Sequence, residues 1–318
     1  MNIITGALLA LGLALPGVAT AQDFPSGQVT MVVPFSAGGS NDTIGRYLAE
    51  QLGQAWGRNL VVENRPGAGA AVGANYVARS KPDGHTMLFV SGTLTTTGAT
   101  RRNLTFDPAK DLQPVGLGAF GKMIIVASPD RGLKSLDDVV AKAKNQTVFY
   151  GDTGVGSITQ FAAEVFAKQA GIKMEPVHYK GGTDALVDLA GGRIDIYAGT
   201  VTQVKSTVDS GKAVPVAVSS KTRTDVFPDV PTIAEAGYPG AEAEIWWGVF
   251  VPAGTDAGVV EKINADINTV MNTDASREFL ANLGAEPARM TVEEFTAHVN
   301  GELETWKAIA KELDLYVE

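Results

Sequence analysis

From Val29 the chain runs VTMVVPFSAGGSNDTIGRYLAEQLGQA, and this stretch sets the tightest limit on the fold. Val29, Thr30, Val32 and Val33 are β-branched and read as a short strand ended by Pro34. A loop of small residues with Gly38 and Gly39 follows. Ile44, Tyr47, Leu48 and Leu52 then recur at helical spacing. Ser40 is the expected N-cap of that helix. Strand, glycine loop and helix start together bring unpaired backbone N–H groups and the positive end of a helix dipole to one spot. Such a spot favours an anion. The same turn also occurs in α/β proteins that hold nothing there, so both readings stand at this point. The loop lacks the G-x-G-x-x-G spacing of a dinucleotide site and the G-K-[ST] ending of a phosphate loop, which leaves the type of anion open.

The alternation continues. Leu60 to Glu63 reads as a strand, Asn64 to Gly69 as a glycine-rich turn and about Ala70 to Ser80 as a helix. Thr86 to Val90 reads as a third strand, opening into Ser91-Gly92-Thr93. A β-α-β-α-β series implies a parallel sheet whose strands end on one edge, where open α/β sheets bind ligands. Leu94 to Asp111 has no clean period, Val115 to Leu117 and Met123 to Ala127 read as separate strands, and Ser135 with Asp138 opens a helix. A second series starts at Thr147. It has a loop at Gly151 to Ser157, a helix with Phe161, Val165 and Phe166, and a strand at Glu175 to Tyr179. The loop Lys180-Gly181-Gly182 follows, then a helix capped by Thr183, and strands at Ile194 to Ala198 and Val214 to Val218 flanking a short helix.

Gly151 to Ser157 repeats the chemistry of Ser36 to Ser40: glycines for close backbone approach, hydroxyls as extra donors, a helix start behind. Cradles of this kind in separate halves predict two lobes gripping one ligand. Residues 222–240 are rich in Pro and Gly yet too apolar to stay solvated, and read as an excursion rather than a linker. Ile245 to Val251 forms a strong strand, and the tail beyond it is helical, with a capping box of Thr291 and Glu294 before the last helix. Packed back on the first half, that tail makes the connection between halves a double crossing, the layout of a hinge.

The 318 residues can bury a large core and build two domains. With 26 Lys and Arg against 35 Asp and Glu the net charge is −9, without runs of like charge, which argues against a nucleic-acid partner. An anion must then be held by local dipoles. Ile3 to Val18 is apolar and precedes Ala19-Thr20-Ala21, a signal-peptidase pattern that predicts cleavage after Ala21. The stretch before it has no Lys or Arg, and an uncleaved anchor is the alternative. Without cysteine there is neither a disulfide nor a lipidated mature N-terminus, so an exported, unanchored protein is expected.

Enzyme signatures are missing. The sequence has no G-x-S-x-G, no H-E-x-x-H and no cysteine nucleophile. Asp137 with Asp138 and Glu293 with Glu294 sit at helix starts, where the dipole explains them. His85, His178 and His298 share no metal-ligand spacing, so neither metal nor cofactor is expected. Asp42 reads as a first-turn partner of its helix dipole, and of Trp246 and Trp247 at least one reads as core. Arg101 and Arg102 could meet a second ligand carboxylate or simply be solvated, and Lys180 could face the cleft or the solvent.

As a set, PFSAGGSND (Pro34 to Asp42), VVENRPGAGAAVGANYVARSKPDGHTM (Val61 to Met87), HYKGGTDALVDLAGGRID (His178 to Asp195), VPTIAEAGYPG (Val230 to Gly240) and WWGVFVPAGT (Trp246 to Thr255) closely resemble one family, the tripartite tricarboxylate transporter receptors, or Bug family, of periplasmic solute-binding proteins. The resemblance implies an α/β type II periplasmic-binding fold: two lobes, a double-crossing hinge and a ligand cleft. After a signal peptide of residues 1–21, lobe I would be 22–121 with 245–318 and lobe II 122–244. It implies a single chain that takes a small carboxylate and delivers it to permease subunits in the membrane. A ligand-sensing partner of a membrane signalling protein is the alternative. One ligand carboxylate would be held by Phe35, Ser36, Gly38, Gly39, Ser40 and Asn41 on lobe I and by Thr153, Gly156 and Ser157 on lobe II, with Ser91 and Thr93 lining the remaining wall. The chain departs from the family pattern at GDTGVGSITQ, at TLTTTGATRRNLTFD after Ser91-Gly92, and at His85, so the identity of the ligand does not carry over.

Overall fold

A computed structural model describes residues 24–316. The expected signal peptide and its cut after Ala21 lie outside them.

The first series is β1 (Val29–Val33), α1 (Ser40–Trp56), β2 (Leu60–Asn64), α2 (Ala71–Ala78), β3 (Thr86–Ser91) and α3 (Thr93–Thr100). β4 (Leu112–Ala127) and α4 (Leu136–Ala143) lead into the second: β5 (Phe149–Asp152), α5 (Ile158–Gln169), β6 (Glu175–His178), α6 (Gly182–Ala190), β7 (Ile196–Thr200), α7 (Val201–Asp209) and β8 (Val214–Val218). β9 (Glu244–Pro252), α8 (Ala257–Val270), α9 (Asp274–Asn282), β10 (Ala285–Pro287) and α10 (Val292–Leu313) complete the chain.

β1 pairs in parallel with β2 and β3, as the alternation predicts, and β9 joins β3 antiparallel. In the second series β5 pairs in parallel with β6 and β7. β4 joins the two sets. Its residues Leu112 to Lys122 pair with β9, while Met123 to Ala127 pair with β7. The sequence marks two separate strands here, but the structure has one of 16 residues. Gly116, Gly118 and Gly121 break the apolar alternation because other side chains stand where theirs would be: Asn264 and Ile267 at Gly116, the Phe89 ring at Gly118 and the Trp247 ring at Gly121. A Cβ on Gly121 would lie 2.4 Å from the Trp247 ring. The result is a two-lobe α/β fold in which one strand belongs to both lobes.

α1 explains how the first lobe closes. Ile44, Leu48 and Leu52 bury one stripe, and Gly45 lets the helix approach Phe89, where a Cβ would stand 2.9 Å from the ring. Both Trp246 and Trp247 are buried core residues. α3 has no counterpart in the sequence reading, because Thr-Leu-Thr-Thr-Thr-Gly-Ala-Thr has low helix propensity. Burial overrides that preference: Thr96 Oγ1 donates to Thr93 O at 3.1 Å and Thr100 Oγ1 to Thr96 O at 2.9 Å, so the helix satisfies its own hydroxyls. α10 carries the expected Thr291–Glu294 capping box and packs on α3. Farther along, Trp306 meets Phe161 of α5 edge-on with ring centroids 5.0 Å apart, and Lys168 pairs with Glu312, so this helix touches both lobes.

Candidate ligand-binding site

Where the lobes face each other, α1, α3, α5, α6 and α7 all begin around one enclosed cavity of about 20 Å³. That is room for about one water molecule. Its wall comprises Phe35, Ser36, Gly39, Ser40, Asn41, Ser91 and Thr93 from the first lobe and Thr153, Ile158, Thr159, Gly181, Gly182, Thr200 and Gln203 from the second, with Ile245 at the back. None of these side chains is charged. The electrostatic bias comes from helix starts alone, which favour negative charge.

The first loop is shaped to leave its donors free. Gly39, with φ −81° and ψ 174°, is the N-cap of α1, so Ser40 is the first helical residue rather than the cap predicted for it. The first intrahelical bond is Thr43 N–H to Gly39 O at 2.9 Å, and the N–H groups of Ser40 and Asn41 precede it. Asn41 is 8% exposed and its amide oxygen has no partner among the described residues. An amide can turn either face to a ligand. Asp42 holds the loop from behind, as expected of a first-turn residue. It accepts from Gly38 N–H at 2.9 Å, from Arg46 Nε at 2.9 Å and from Asn64 Nδ2 at 2.8 Å. Burial works to raise the Asp42 pKa, but these bonds outweigh it and hold the carboxyl below its ordinary range.

The loop after β5 differs. Thr153 N–H donates to Thr159 Oγ1 at 2.9 Å, Gly154 N–H to Asp152 Oδ1 at 2.8 Å and Gly156 N–H to Gln160 Oε1 at 2.7 Å. Ser157 caps α5 by accepting from Gln160 N–H at 3.3 Å. Of the residues expected to meet a ligand, Phe35, Ser36, Gly39, Ser40, Asn41, Ser91, Thr93 and Thr153 therefore share the cavity wall. Gly38, Gly156 and Ser157 stand off it, each with its polar group engaged inside its own loop.

In their place the second lobe presents α6 and α7. Gly181 is the N-cap of α6, two residues ahead of Thr183, the predicted cap. A Cβ on Gly181 would stand 2.9 Å from Ser36 Cβ, and one on Gly182 2.1 Å from Gln203 Nε2 and 2.2 Å from the Tyr197 hydroxyl. Tyr197 donates its hydroxyl to Gln203 Oε1 at 2.6 Å, which leaves the Gln203 NH2 as the donor facing Gly39 and Gly182. Burial, with the charge of Asp152 adding to it, pushes the Tyr197 phenol above its usual range and keeps it a donor. The lobes also touch through Ser36 Oγ donating to Asp184 Oδ2 and Thr183 Oγ1 donating to Ala37 O, both at 3.3 Å. One sequence signal pointed here: Gly181-Gly182-Thr183 repeats the Gly-Gly-hydroxyl order of Gly38-Gly39-Ser40. Gln203, inside a short helix, had none.

Residues 44–315 match the family model described as the tripartite tricarboxylate transporter family receptor. The chain belongs to that family. The receptor is 32% identical to protein BugT of Bordetella pertussis over 96% of each chain. Its structure is similar to that of R. palustris Rpa4515 with adipate, at TM-score 0.89 and 31% identity over 92% of this chain and 99% of the other. It is also similar to MatC from Rhodopseudomonas palustris with bound malate, at TM-score 0.86 and 29% identity over 90% and 99%. Family membership makes this receptor a solute-binding protein and not an enzyme, in a family of periplasmic binding proteins. Among the described residues no helix is long and apolar enough to cross a membrane, and no group of His, Cys, Asp or Glu could hold a metal ion.

Proposed function

We propose that this receptor, exported with cleavage after Ala21, works in the periplasm as a single chain. It closes two lobes on a small carboxylated molecule and delivers it to the permease subunits of a tripartite tricarboxylate transporter. In chain terms lobe I is 22–121 with 245–318 and lobe II is 122–244. The strands that change sheets at Lys122 and Met123 and return at Glu244 form the hinge. The carrying observation is the uncharged cavity around which five helices begin. In a protein of net charge −9, only such fixed dipoles give an anion a favourable place.

Ser40 and Asn41 bind the acid group from lobe I with Ser36 and Gly39, and Gln203 binds it from lobe II, while Ser91, Thr93 and Thr153 shape the wall. Hydrogen bonds to a charged group contribute about 1.5–3 kcal/mol each, and each helix start about 0.3–2 kcal/mol more. After the costs of ordering ligand and lobes, about −8 kcal/mol, or micromolar affinity, is within reach without an arginine. The relatives crystallised with adipate and malate support a carboxylate as the cargo. A cavity of about 20 Å³ admits such a molecule only when the lobes part, so capture requires opening and reclosure.

A thermal-shift screen of mono-, di- and tricarboxylates, adipate and malate among them, tests this. Saturable stabilisation by at least one acid is expected, growing with ligand concentration. A flat response to the whole panel at millimolar concentration rules the reading out.

A further inference from the structure

Two side-chain amides stand in the cavity wall, and they are held differently. Asn41 of the first lobe has a buried amide oxygen without a partner among the described residues, so it can turn either face to whatever enters. Gln203 of the second lobe is fixed at both ends. Its backbone N–H donates to Thr200 Oγ1, the cap of α7, at 3.2 Å, and its side-chain oxygen accepts from the Tyr197 hydroxyl at 2.6 Å.

Tyr197 sets the sense of that second bond. The residue is fully buried in β7 and absent from the cavity wall, and its hydroxyl has no other hydrogen-bond partner among the described residues. A flip of the Gln203 amide would turn NH2 to the phenol and strand the phenolic proton without an acceptor, away from water. Leaving a buried donor unpaired is costly. The fold also clears room for the pair. A Cβ on Gly199 would collide with the Tyr197 ring, and one on Gly182 with both the hydroxyl and the Gln203 amide. Neither glycine has a positive φ, so space rather than backbone conformation demands them.

Held this way, Gln203 turns its NH2 toward the start of α1, 3.2 Å from where a Cβ on Gly39 would stand. The backbone N–H groups of Ser40 and Asn41 lie at the same helix start. Fixed donors therefore stand on both lobes. An ionised carboxylate offers an acceptor to each side. A carboxamide has nearly the same shape but carries its own NH2, which meets a donor on one lobe or the other whichever way it enters. Size cannot separate the two groups; only the direction of the hydrogen bonds can.

We propose that Tyr197 is the positioning residue that makes this site select an ionised carboxylate over the matching carboxamide, by locking the Gln203 amide with its NH2 toward the ligand. The proposal rests on the carboxylate-receptor reading above and adds the residue that sets its selectivity. Without the hydroxyl, Gln203 is free to turn its oxygen to the cavity and accept from an amide.

The test is calorimetric titration of the whole receptor with each acid of the panel that binds, against its fully amidated form: adipamide for adipate, malamide for malate. The wild type should prefer the acid by about a hundredfold or more, because a bond to a charged acceptor is replaced by donor against donor. Tyr197→Phe keeps the ring. It should weaken the acid about threefold and strengthen the amide about as much, which narrows the preference about tenfold. In a Gln203→Leu background the same change should leave the preference within about twofold, since Tyr197 acts only through that amide. Gln203→Glu keeps a bond to the hydroxyl and turns an acceptor to the cavity, so it should reverse the preference; it decides the matter if Tyr197→Phe, checked by its unliganded melting temperature, does not fold. An equal loss of both ligands in Tyr197→Phe, an unchanged preference, the same narrowing in the Gln203→Leu background, or a Gln203→Glu variant that still favours the acid overturns the proposal and leaves the carboxylate receptor standing. If no acid of the panel binds the wild type, the receptor reading has failed and this proposal with it.

Discussion

The loops after β1 and β5 have similar composition, each with glycines and hydroxyls ahead of a helix, yet they use their polar groups in opposite ways. After β1, Asp42 draws Gly38, Arg46 and Asn64 to itself, and the N–H groups at the start of α1 remain turned to the cavity. After β5, the donors of Thr153, Gly154 and Gly156 close on Thr159, Asp152 and Gln160 of their own segment. One loop is an open cradle and the other a self-sealed brace. The difference lies in side chains that follow the glycines. A carboxylate at Asp42 reaches back behind its loop, whereas Thr159 and Gln160 reach into theirs. Composition alone is therefore a poor guide to which glycine loop binds; the acceptors within one helical turn decide it.

The sharpest way to break this contrast is Gly39→Val. Gly39 has an extended backbone that any residue adopts, and its Cβ would stand 3.2 Å from Gln203 Nε2, inside the cavity. Carboxylate affinity should fall by about a hundredfold, as expected from losing two hydrogen bonds to a charged group, while the unliganded melting temperature stays close to wild type. Retained affinity would place the acid elsewhere.

Gln203→Leu asks whether lobe II binds through α7 rather than through its glycine loop. Affinity should drop about thirtyfold, or about 2 kcal/mol. An unchanged titration would return the role to the β5 loop.

Asp42→Asn probes the post behind the open cradle and should destabilise the fold by about 1.5 kcal/mol at neutral pH. Because the folded pKa of Asp42 lies below its unfolded value, its contribution is present above that unfolded value, 3.8, and is lost as pH falls through the folded pKa. Urea denaturation of both proteins should therefore converge as the pH drops below about 4.

The smallest effect is expected from Ser157→Ala. Loss of the α5 cap should cost about 1 kcal/mol of stability and leave carboxylate affinity within about twofold. A large loss of affinity would mean that the brace is also a binding loop.

What the sequence showed follows the same line. Strand–helix alternation, the parallel pairing of β1 with β2 and β3 and the first cradle were legible because they depend on local periodicity and on one glycine loop. The Thr-rich helix α3 was not, since its stability comes from burial under α10. Nor was the continuity of β4, whose glycines make room for side chains from other elements, aromatic rings at Gly118 and Gly121. Gln203 was invisible for a different reason: its amide is oriented by Tyr197, six residues earlier and on another element. Residues that bind through an orienting neighbour leave no spacing to find.

The last helix has an optical consequence. Trp306 rests edge-on against Phe161 of the opposite lobe, while Trp246 and Trp247 lie deep in one lobe. In the opening proposed for capture, the indole leaves its aromatic neighbour for water, so the molecule would carry a built-in fluorescent gauge of its own gape.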